Sequence, residues 1–226
     1  MKNVNPKSID LIFTDLPYGQ IAPKWDKNID IKELWHSFNR VIKDDGTILL
    51  FAAQPFTTKL ISSNEKEFRY CWYWLKNQGT NFFHAKRMPI RRVEEICVFK
   101  RGKYNPQMSV GHKPTNSAKV CSNGRAYNGV NKRNYEGGKT ERYPTNVLEF
   151  DSVDNYSRLH TSQKPLNLAE FLIRTYTNEG DIVLDPCSGS GTIGLAAKNT
   201  KRNYIMMDND ENSYMSSCRR VGEKTN

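Results

Sequence analysis

The sequence has little with which to cross-link itself or to cross a bilayer. Its five cysteines, Cys71, Cys97, Cys121, Cys187 and Cys218, are odd in number and form no C-x-x-C pair. Neither a disulfide framework nor a structural zinc site is suggested, and a reducing compartment fits. No run approaches the roughly 18 to 20 apolar residues of a membrane span. Residues 1–8 are polar and lack the apolar stretch of a signal peptide, so the expectation is a soluble, cytoplasmic protein. Acidic charge is scarce in one region. Between His84 and Arg142 there are 14 Lys and Arg against 4 acids, whereas the rest of the 226-residue chain carries 20 of each. The whole formal excess of +10 therefore lies in that stretch. One basic segment on a neutral scaffold implies a polyanionic partner, with nucleic acid and an anionic membrane surface as the candidates.

With 37% hydrophobic residues, the chain has material for one core rather than two. Residues 9–14 are almost continuously apolar, the pattern of a strand buried on both faces, and Asp15-Leu16-Pro17-Tyr18-Gly19 ends it with turn chemistry. Leu34, Phe38, Val41 and Ile42 recur at helical spacing. Asp44-Asp45-Gly46 reads as a stop before a second buried strand over 47–52. Residues 69–75 and 95–100 read as two outer strands joined by a long polar loop over 76–94. From 101 to 143 there are six glycines, six asparagines and only four aliphatic residues, Met108, Val110, Val120 and Val130. Such a segment cannot bury enough surface to order itself, which predicts an extended insert that orders on its partner. Regular structure resumes with an amphipathic helix marked by Leu168, Phe171, Leu172 and Tyr176. A buried strand over 181–185, a helix over 192–199 and a strand over 203–207 follow. Alternating strands and helices on both sides of the insert predict a parallel sheet covered on both faces.

Three motifs carry chemistry. In Asp185-Pro186-Cys187-Ser188-Gly189-Ser190-Gly191-Thr192, a glycine loop joins a strand to a helix. The glycines let backbone approach a ligand, and the helix N-terminus favours an anionic or polar group. The full G-x-G-x-x-G of a dinucleotide fold and the Gly-Lys-Ser/Thr of a phosphate loop are both absent. Asp208 follows the next strand about 20 residues on, where an acid can take the ribose hydroxyls of an adenosine-type cofactor; loop plus acid suggests S-adenosyl-L-methionine. In Asp15-Leu16-Pro17-Tyr18, a carboxylate, a main-chain carbonyl and an aromatic ring in one turn can grip a flat heterocycle bearing an exocyclic amine. In His160-Thr161-Ser162-Gln163-Lys164-Pro165, Thr161 or Ser162 is placed to cap the next helix, with Pro165 in its first turn.

Together and in this order, the motifs resemble the β-group DNA amino-methyltransferases, phage-type and restriction–modification adenine enzymes most of all. The resemblance covers most of the chain: an Asp-Pro-Pro-Tyr-like catalytic motif, a target-recognition insert, then His-Pro-Thr-Gln-Lys-Pro-like and Asp-Pro-Phe-x-Gly-Ser-Gly-Thr-like cofactor motifs. It implies an α/β, Rossmann-like S-adenosylmethionine-dependent methyltransferase sheet with a polar basic insert. Residues 1–100 would form the catalytic half of the domain, 101–143 the target-recognition insert and 144–226 the cofactor half. Asp15, Pro17 and Tyr18, with the Leu16 main chain, would form the target-base pocket. Asp185, Cys187, Gly189, Ser190, Gly191 and Thr192 would line the methionine side of the cofactor, Asp208 would hold its ribose, and His160, Ser162 and Lys164 would close the methionine end. Lys86, Arg87, Arg91, Arg92, Lys113, Arg125, Lys132, Arg133 and Lys139 would contact double-stranded DNA, which displaces a membrane as the implied partner. A monomer or homodimer is expected.

The sequence departs from the family pattern at four places. Leu16 stands for the usual first proline, Cys187 for a phenylalanine and Asp208 for a glutamate. The strand with a Gly-Asp pair that precedes residues 8–12 in relatives has little room in residues 1–7, so one edge strand is expected to be lacking. Asp15 resembles the N6-adenine subtype more than the N4-cytosine one. The alternatives are N4-cytosine methylation and a non-catalytic DNA-binding relative; RNA amine methylation, whose enzymes more often carry Asn at the position of Asp15, ranks lower. Pro186-Cys187 is no cytosine-C5 nucleophile, because that cysteine belongs in the catalytic loop rather than the glycine loop.

Overall fold

The computed structural model describes residues 1–18, 29–114, 137–154, 156 and 163–222. They divide into two compact units, Met1–Asn105 with Asn146–Asn226, and Pro106–Thr145.

In the larger unit, β1 (Ile9–Asp15), α1 (Ile31–Val41), β2 (Ile42–Ala52), α2 (Phe56–Ser63), β3 (Phe68–Thr80) and β4 (Arg91–Phe99) precede the smaller unit. After it come β5 (Val147–Glu149), α3 (Leu166–Tyr176), β6 (Ile182–Asp185), α4 (Thr192–Asn199), β7 (Asn203–Met206) and α5 (Glu211–Val221). Seven strands form one sheet in the order β5-β3-β4-β2-β1-β6-β7. The pairs β1–β2, β1–β6, β6–β7 and β3–β5 are parallel, while β4 runs antiparallel to both β2 and β3. Among the described residues no strand lies outside β7, which is one edge of the sheet.

Period-2 alternation sends the side chains of the central strands into two cores. Ile48, Leu50 and Ala52 of β2 join Leu34, Trp35 and Phe38 of α1 and Leu60 of α2 on one face. Leu49 and Phe51 join Leu168, Leu172 and Ile173 of α3 and Ala196 and Ala197 of α4 on the other. Helix α1 begins where Asp30 accepts hydrogen bonds from the N–H groups of Lys32 and Glu33, satisfying donors the helix leaves open. Among the described residues no helix is long and apolar enough to cross a membrane.

Several local expectations are corrected. Asp44-Asp45-Gly46 is not a stop between helix and strand but a bulge within β2, where pairing moves from Ile9↔Ile42 to Leu11↔Thr47. Gly46 is required there, because a Cβ would lie 2.7 Å from the Ile42 side chain and 3.0 Å from the Asp10 carbonyl. The polar loop over 76–94 is shorter than expected, since pairing continues past Leu75↔Val93 to Thr80↔Arg91 across an irregularity. Pro165 occupies the cap position of α3, and no side chain caps that helix. Thr161 and Ser162 lie outside the described residues.

Not all of the basic excess faces outward. Lys103 binds Asp181 at 2.7 Å and Asp10 at 3.4 Å, and Asp10, nearly buried, also takes Lys43 at 2.8 Å and the Ile182 N–H at 3.0 Å. These cations tie β1 to β6 at the end of the sheet opposite Asp15. In the smaller unit, Ser109 and Arg142 exchange backbone hydrogen bonds, and the Arg142 guanidinium donates to the Lys113 and Lys139 carbonyls.

Candidate active site

The chain leaves β1 toward β2 on one side and β6 toward β7 on the other, so the sheet's topological switch point lies between β1 and β6. In open α/β sheets, ligands bind outside the carboxyl ends of the strands at such a point. Asp15 is the last residue of β1, Asp185 the last of β6, and Asp208 follows β7 by two residues. Sequence positions far apart are thus gathered at one edge.

Asp15 is the centre of an ion array. Its Oδ2 lies 2.7 Å from Lys164 Nζ, and its Oδ1 accepts the Tyr18 hydroxyl at 2.8 Å. The same ammonium reaches Glu94 Oε1 at 2.7 Å, and Glu94 Oε2 binds Lys76 at 2.6 Å. Lys164 and Lys76 also lie 4.7 Å over the rings of Phe51 and Trp74. Tyr18 stacks on Phe56 with centroids 4.9 Å apart. Leu16 is buried in the core beneath, which leaves its side chain no part in a ligand surface.

The two carboxylates differ in character. Burial pushes the Asp15 carboxyl above its ordinary value, with Lys164 opposing and Glu94 adding to the rise. For Glu94 burial is also the largest influence, yet Lys164 and Lys76 together outweigh it and hold that carboxyl low. Burial alone would lower Lys164; flanked by Asp15 and Glu94, its ammonium is instead held above the usual lysine range. Glu94 is therefore the fixed counter-ion and Asp15 the more basic acceptor. Tyr18 stays a phenol, raised by burial and by both carboxylates.

The glycine loop forms the second half of the site. Gly189 adopts φ +47° and its Cβ position faces open space, so backbone is exposed to an approaching group. Its N–H donates to Asp208 Oδ2 at 2.8 Å, and Asp208 Oδ1 accepts the Asp210 N–H at 3.0 Å. Gly191, expected to face a ligand, serves packing instead. At φ +71°, a Cβ there would meet Ser217 of α5 at 2.8 Å. Ser190 and Thr192 are buried, and their hydroxyls are held by Arg220 of α5 at 3.2 and 2.8 Å, with the Ser190 carbonyl at 2.9 Å. Burial pushes the Cys187 thiol up to about 12, aided by Asp185 and Asp208, so it is protonated and no nucleophile.

Asp185 is buried, and that burial lifts its carboxyl from 3.8 to about 7. At about 1.4 kcal/mol for each pH unit, ionising it in the fold costs up to about 4 kcal/mol. The folded value exceeds the unfolded one, so this cost is complete above pH 7 and is relieved as pH falls toward 4. Asp185→Asn keeps an oxygen for the Cys187 N–H at 3.2 Å. It is expected to raise unfolding stability by about 4 kcal/mol at pH 8 and by less than half of that, about 1.5 kcal/mol, at pH 5. Urea unfolding at the two pH values measures this; an equal gain at both contradicts it.

Of the other site residues expected from sequence, Pro17 lies in the turn after β1, and Lys86, Arg87, Arg91 and Arg92 are exposed on the β3–β4 hairpin. Lys113 and Lys139 are exposed in the smaller unit. His160, Ser162, Arg125, Lys132 and Arg133 lie outside the described residues. Sequence reasoning missed Glu94, Lys76 and Arg220. The one signal for Glu94 was an acidic pair, Glu94-Glu95, heading an apolar strand within an otherwise basic stretch.

Known proteins resemble this chain over most of its length. The chain is 31% identical over 221 residues to the type II methyltransferase M.HpaI of Haemophilus parainfluenzae, covering 92% of this chain and 66% of that enzyme. It is 27% identical over 218 residues to the DNA adenine methyltransferase YhdJ of Escherichia coli K12, covering 91% and 73%. The fold is that of M1.HpyAVI, solved as a complex with S-adenosylmethionine (TM-score 0.65, 24% identity, 98% of this chain and 91% of that one). It is equally that of the cytosine-N4-specific PvuII DNA methyltransferase (TM-score 0.67, 18% identity, 100% and 83%). A family model for DNA methylases of the N6/N4 group matches residues 9–217. With nearly the whole chain matched, the protein belongs to the N6/N4 DNA methylase family.

Proposed function

We propose that this chain transfers a methyl group from S-adenosyl-L-methionine to the N6 amine of an adenine flipped out of double-stranded DNA. The observation that carries the reading is Asp15, a half-buried carboxylate of raised basicity paired with Lys164 and Tyr18 at the end of β1, at the switch point of the sheet. Relatives are bacterial enzymes, one of them named as a DNA adenine methyltransferase. Bacterial or phage DNA in the cytoplasm is the proposed substrate.

The residues present fit the cofactor. Open space over Gly189 admits a ligand against backbone, Asp208 offers a carboxylate fixed to that loop for vicinal hydroxyls, and Asp185 offers a buried carboxyl that a neighbouring cation draws into its ionised form. S-adenosyl-L-methionine supplies an electrophilic sulfonium methyl. Ser190, Thr192 and Arg220 keep the loop in shape rather than meeting the ligand themselves.

The exocyclic amine of adenine is a weak nucleophile because its lone pair is delocalised into the ring. What this chain's residues contribute is alignment and charge. Asp15 accepts an amine hydrogen, favours the positive charge that grows on nitrogen, and takes the proton released. Its raised basicity suits that task. Tyr18, braced by Phe56, stacks on the base and offsets part of the stacking lost on flipping. Both Asp15 oxygens are engaged in the structure, so the amine must exchange with the Tyr18 hydroxyl or share the carboxylate with it.

The exposed Lys86, Arg87, Arg91, Arg92, Lys113 and Lys139 are assigned to phosphate contact. If these six each neutralise one phosphate, DNA affinity falls about 1,000-fold between about 50 and 200 mM salt. Fluorescence anisotropy with a labelled duplex checks this, and a flat salt response removes the assignment. The reaction itself is tested by incubating the protein with plasmid DNA and methyl-labelled S-adenosylmethionine, then analysing the nucleosides. N6-methyladenine is expected; N4-methylcytosine instead moves the enzyme to the other subtype.

A further inference from the structure

The β3–β4 hairpin carries an exposed apolar tip that catalysis does not use. Residues 81–90 close the hairpin through a single 3-10 turn, Phe82–His84, after Asn81 in the left-handed region at φ 77°. Phe83 is fully exposed, at 102%, and Phe82 is 64% exposed, with Met88 and Ile90 beside them in sequence, also exposed. The tip is built rather than loose. His84 and Ala85 donate to the carbonyls of Asn81 and Phe82 at 3.1 and 3.0 Å, and Arg87 and Met88 donate to the His84 carbonyl at 2.8 and 3.0 Å. Below it, Arg92 clamps the Lys76 carbonyl through Nε and a terminal nitrogen at 3.1 and 2.8 Å.

Charge and position identify the occupant. No acid occurs between Glu67 and Glu94, while Lys86, Arg87, Arg91 and Arg92 surround the aromatic pair in sequence. Exposed apolar groups on one hairpin tip, with cations and no acid near them in sequence, suit a polyanion with an apolar interior, which is a stacked duplex. The hairpin also rises from the active edge. Glu94 of β4 holds the lysine that holds Asp15, and Ile90 is four residues further out, on the order of 10 Å along an extended chain.

Resting on the DNA-methylation reading above, we propose that Phe83, supported by Phe82, is a wedge. It enters the base stack at the step vacated by the flipped base, while Lys86 and Arg87 hold the flanking phosphates. The wedge holds the duplex open; Asp15 and Tyr18 hold the extruded base. Phe83 is therefore a positioning residue and takes no part in bond making.

The test uses the full chain, the Phe82→Ala/Phe83→Ala variant and a duplex containing the methylated site found by sequencing. The target base is either normally paired or set opposite an abasic position, which removes most of the cost of extrusion. On the paired duplex the variant is expected to methylate at least 10-fold more slowly than the parent; on the abasic duplex, within about 3-fold of it. Cofactor affinity measured by isothermal titration is expected to stay unchanged. With 2-aminopurine at the target position, the parent is expected to raise the fluorescence on binding and the variant to raise it much less. Equal rates on the paired duplex overturn the wedge, as does an equal loss on both duplexes, which marks the tip as a general DNA contact. A parent chain that methylates neither duplex overturns the methyltransferase reading, and the wedge with it.

Discussion

Asp15→Asn is expected to slow methyl transfer about 1,000-fold, within the range general-base groups contribute, while S-adenosylmethionine affinity stays within about 3-fold of the parent. The substitution is nearly isosteric. The amide oxygen can still accept a hydrogen bond from Tyr18, which now meets Oδ1 at 2.8 Å, so the turn after β1 keeps its shape. What disappears is the negative charge opposite the growing cation, and with it the acceptor for the amine's proton. The glycine loop, Asp185 and Asp208 are untouched, which is why binding and turnover separate. Single-turnover rates and isothermal titration on the same preparation measure the two effects. A parallel fall in both marks Asp15 as a structural residue.

The same array predicts the acid side of the pH profile. Burial raises the Asp15 carboxyl, and protonation removes the acceptor, so the single-turnover rate is expected to rise with pH through an apparent value above the ordinary 3.8 of an aspartate.

Glu94→Gln carries the second large effect. Among the described residues Glu94 is the one carboxylate bound to both Lys76 and Lys164, at 2.6 and 2.7 Å, and its side chain is 8% exposed. Removing its charge leaves two buried ammonium groups facing a neutral amide, with Asp15 as the remaining anion in the array. Breaking a buried ion pair at one partner costs about 3–5 kcal/mol because the other charge stays desolvated. The expected result is a loss of about 3 kcal/mol in unfolding stability together with slower methylation, since Lys164 no longer has a second anchor beside Asp15. Pairing the change with Lys76→Met restores the balance of one cation to one anion and is expected to recover more than half of the lost stability. Urea unfolding of the single and double variants measures that coupling, and strictly additive losses contradict the shared array.

These residues show where the sequence was legible. The β1 strand, the helix marked by Leu168, Phe171, Leu172 and Tyr176, and the glycine loop announce themselves because each is a local pattern: a continuous apolar run, a 3.6 period, a Gly-Ser-Gly between strand and helix. Asp15, Asp185 and Asp208 stood out for a similar reason, each lying at or just past the end of an apolar strand run: in an Asp-Leu-Pro-Tyr turn, at the head of the glycine loop, and about 20 residues beyond that loop. Glu94 did not, because its function comes from register. Pairing of Ala52 with Glu95 sets β4 against the end of β2, and only then does Glu94 meet a lysine seventy positions later. Arg220 was hidden for a similar reason. Helix α5 reads as polar, with just Ser217, Cys218 and Val221 buried, yet it packs against Gly191 and sends a guanidinium under the loop. The three-residue strand β5 is too short to show a period at all. The exposed phenylalanines of the hairpin lie in a stretch that reads as a polar loop from its composition. Their exposure becomes evident once the turn that displays them is built.

The central claim is that Asp15 and the glycine loop together perform methyl transfer to an amine on DNA. Single-molecule sequencing of plasmid DNA from cells expressing either the parent chain or Asp15→Asn tests it most directly. The predicted result is N6-methyladenine at one recurring sequence in the parent and none in the variant. Unmodified DNA from cells that contain folded, cofactor-binding parent protein contradicts it.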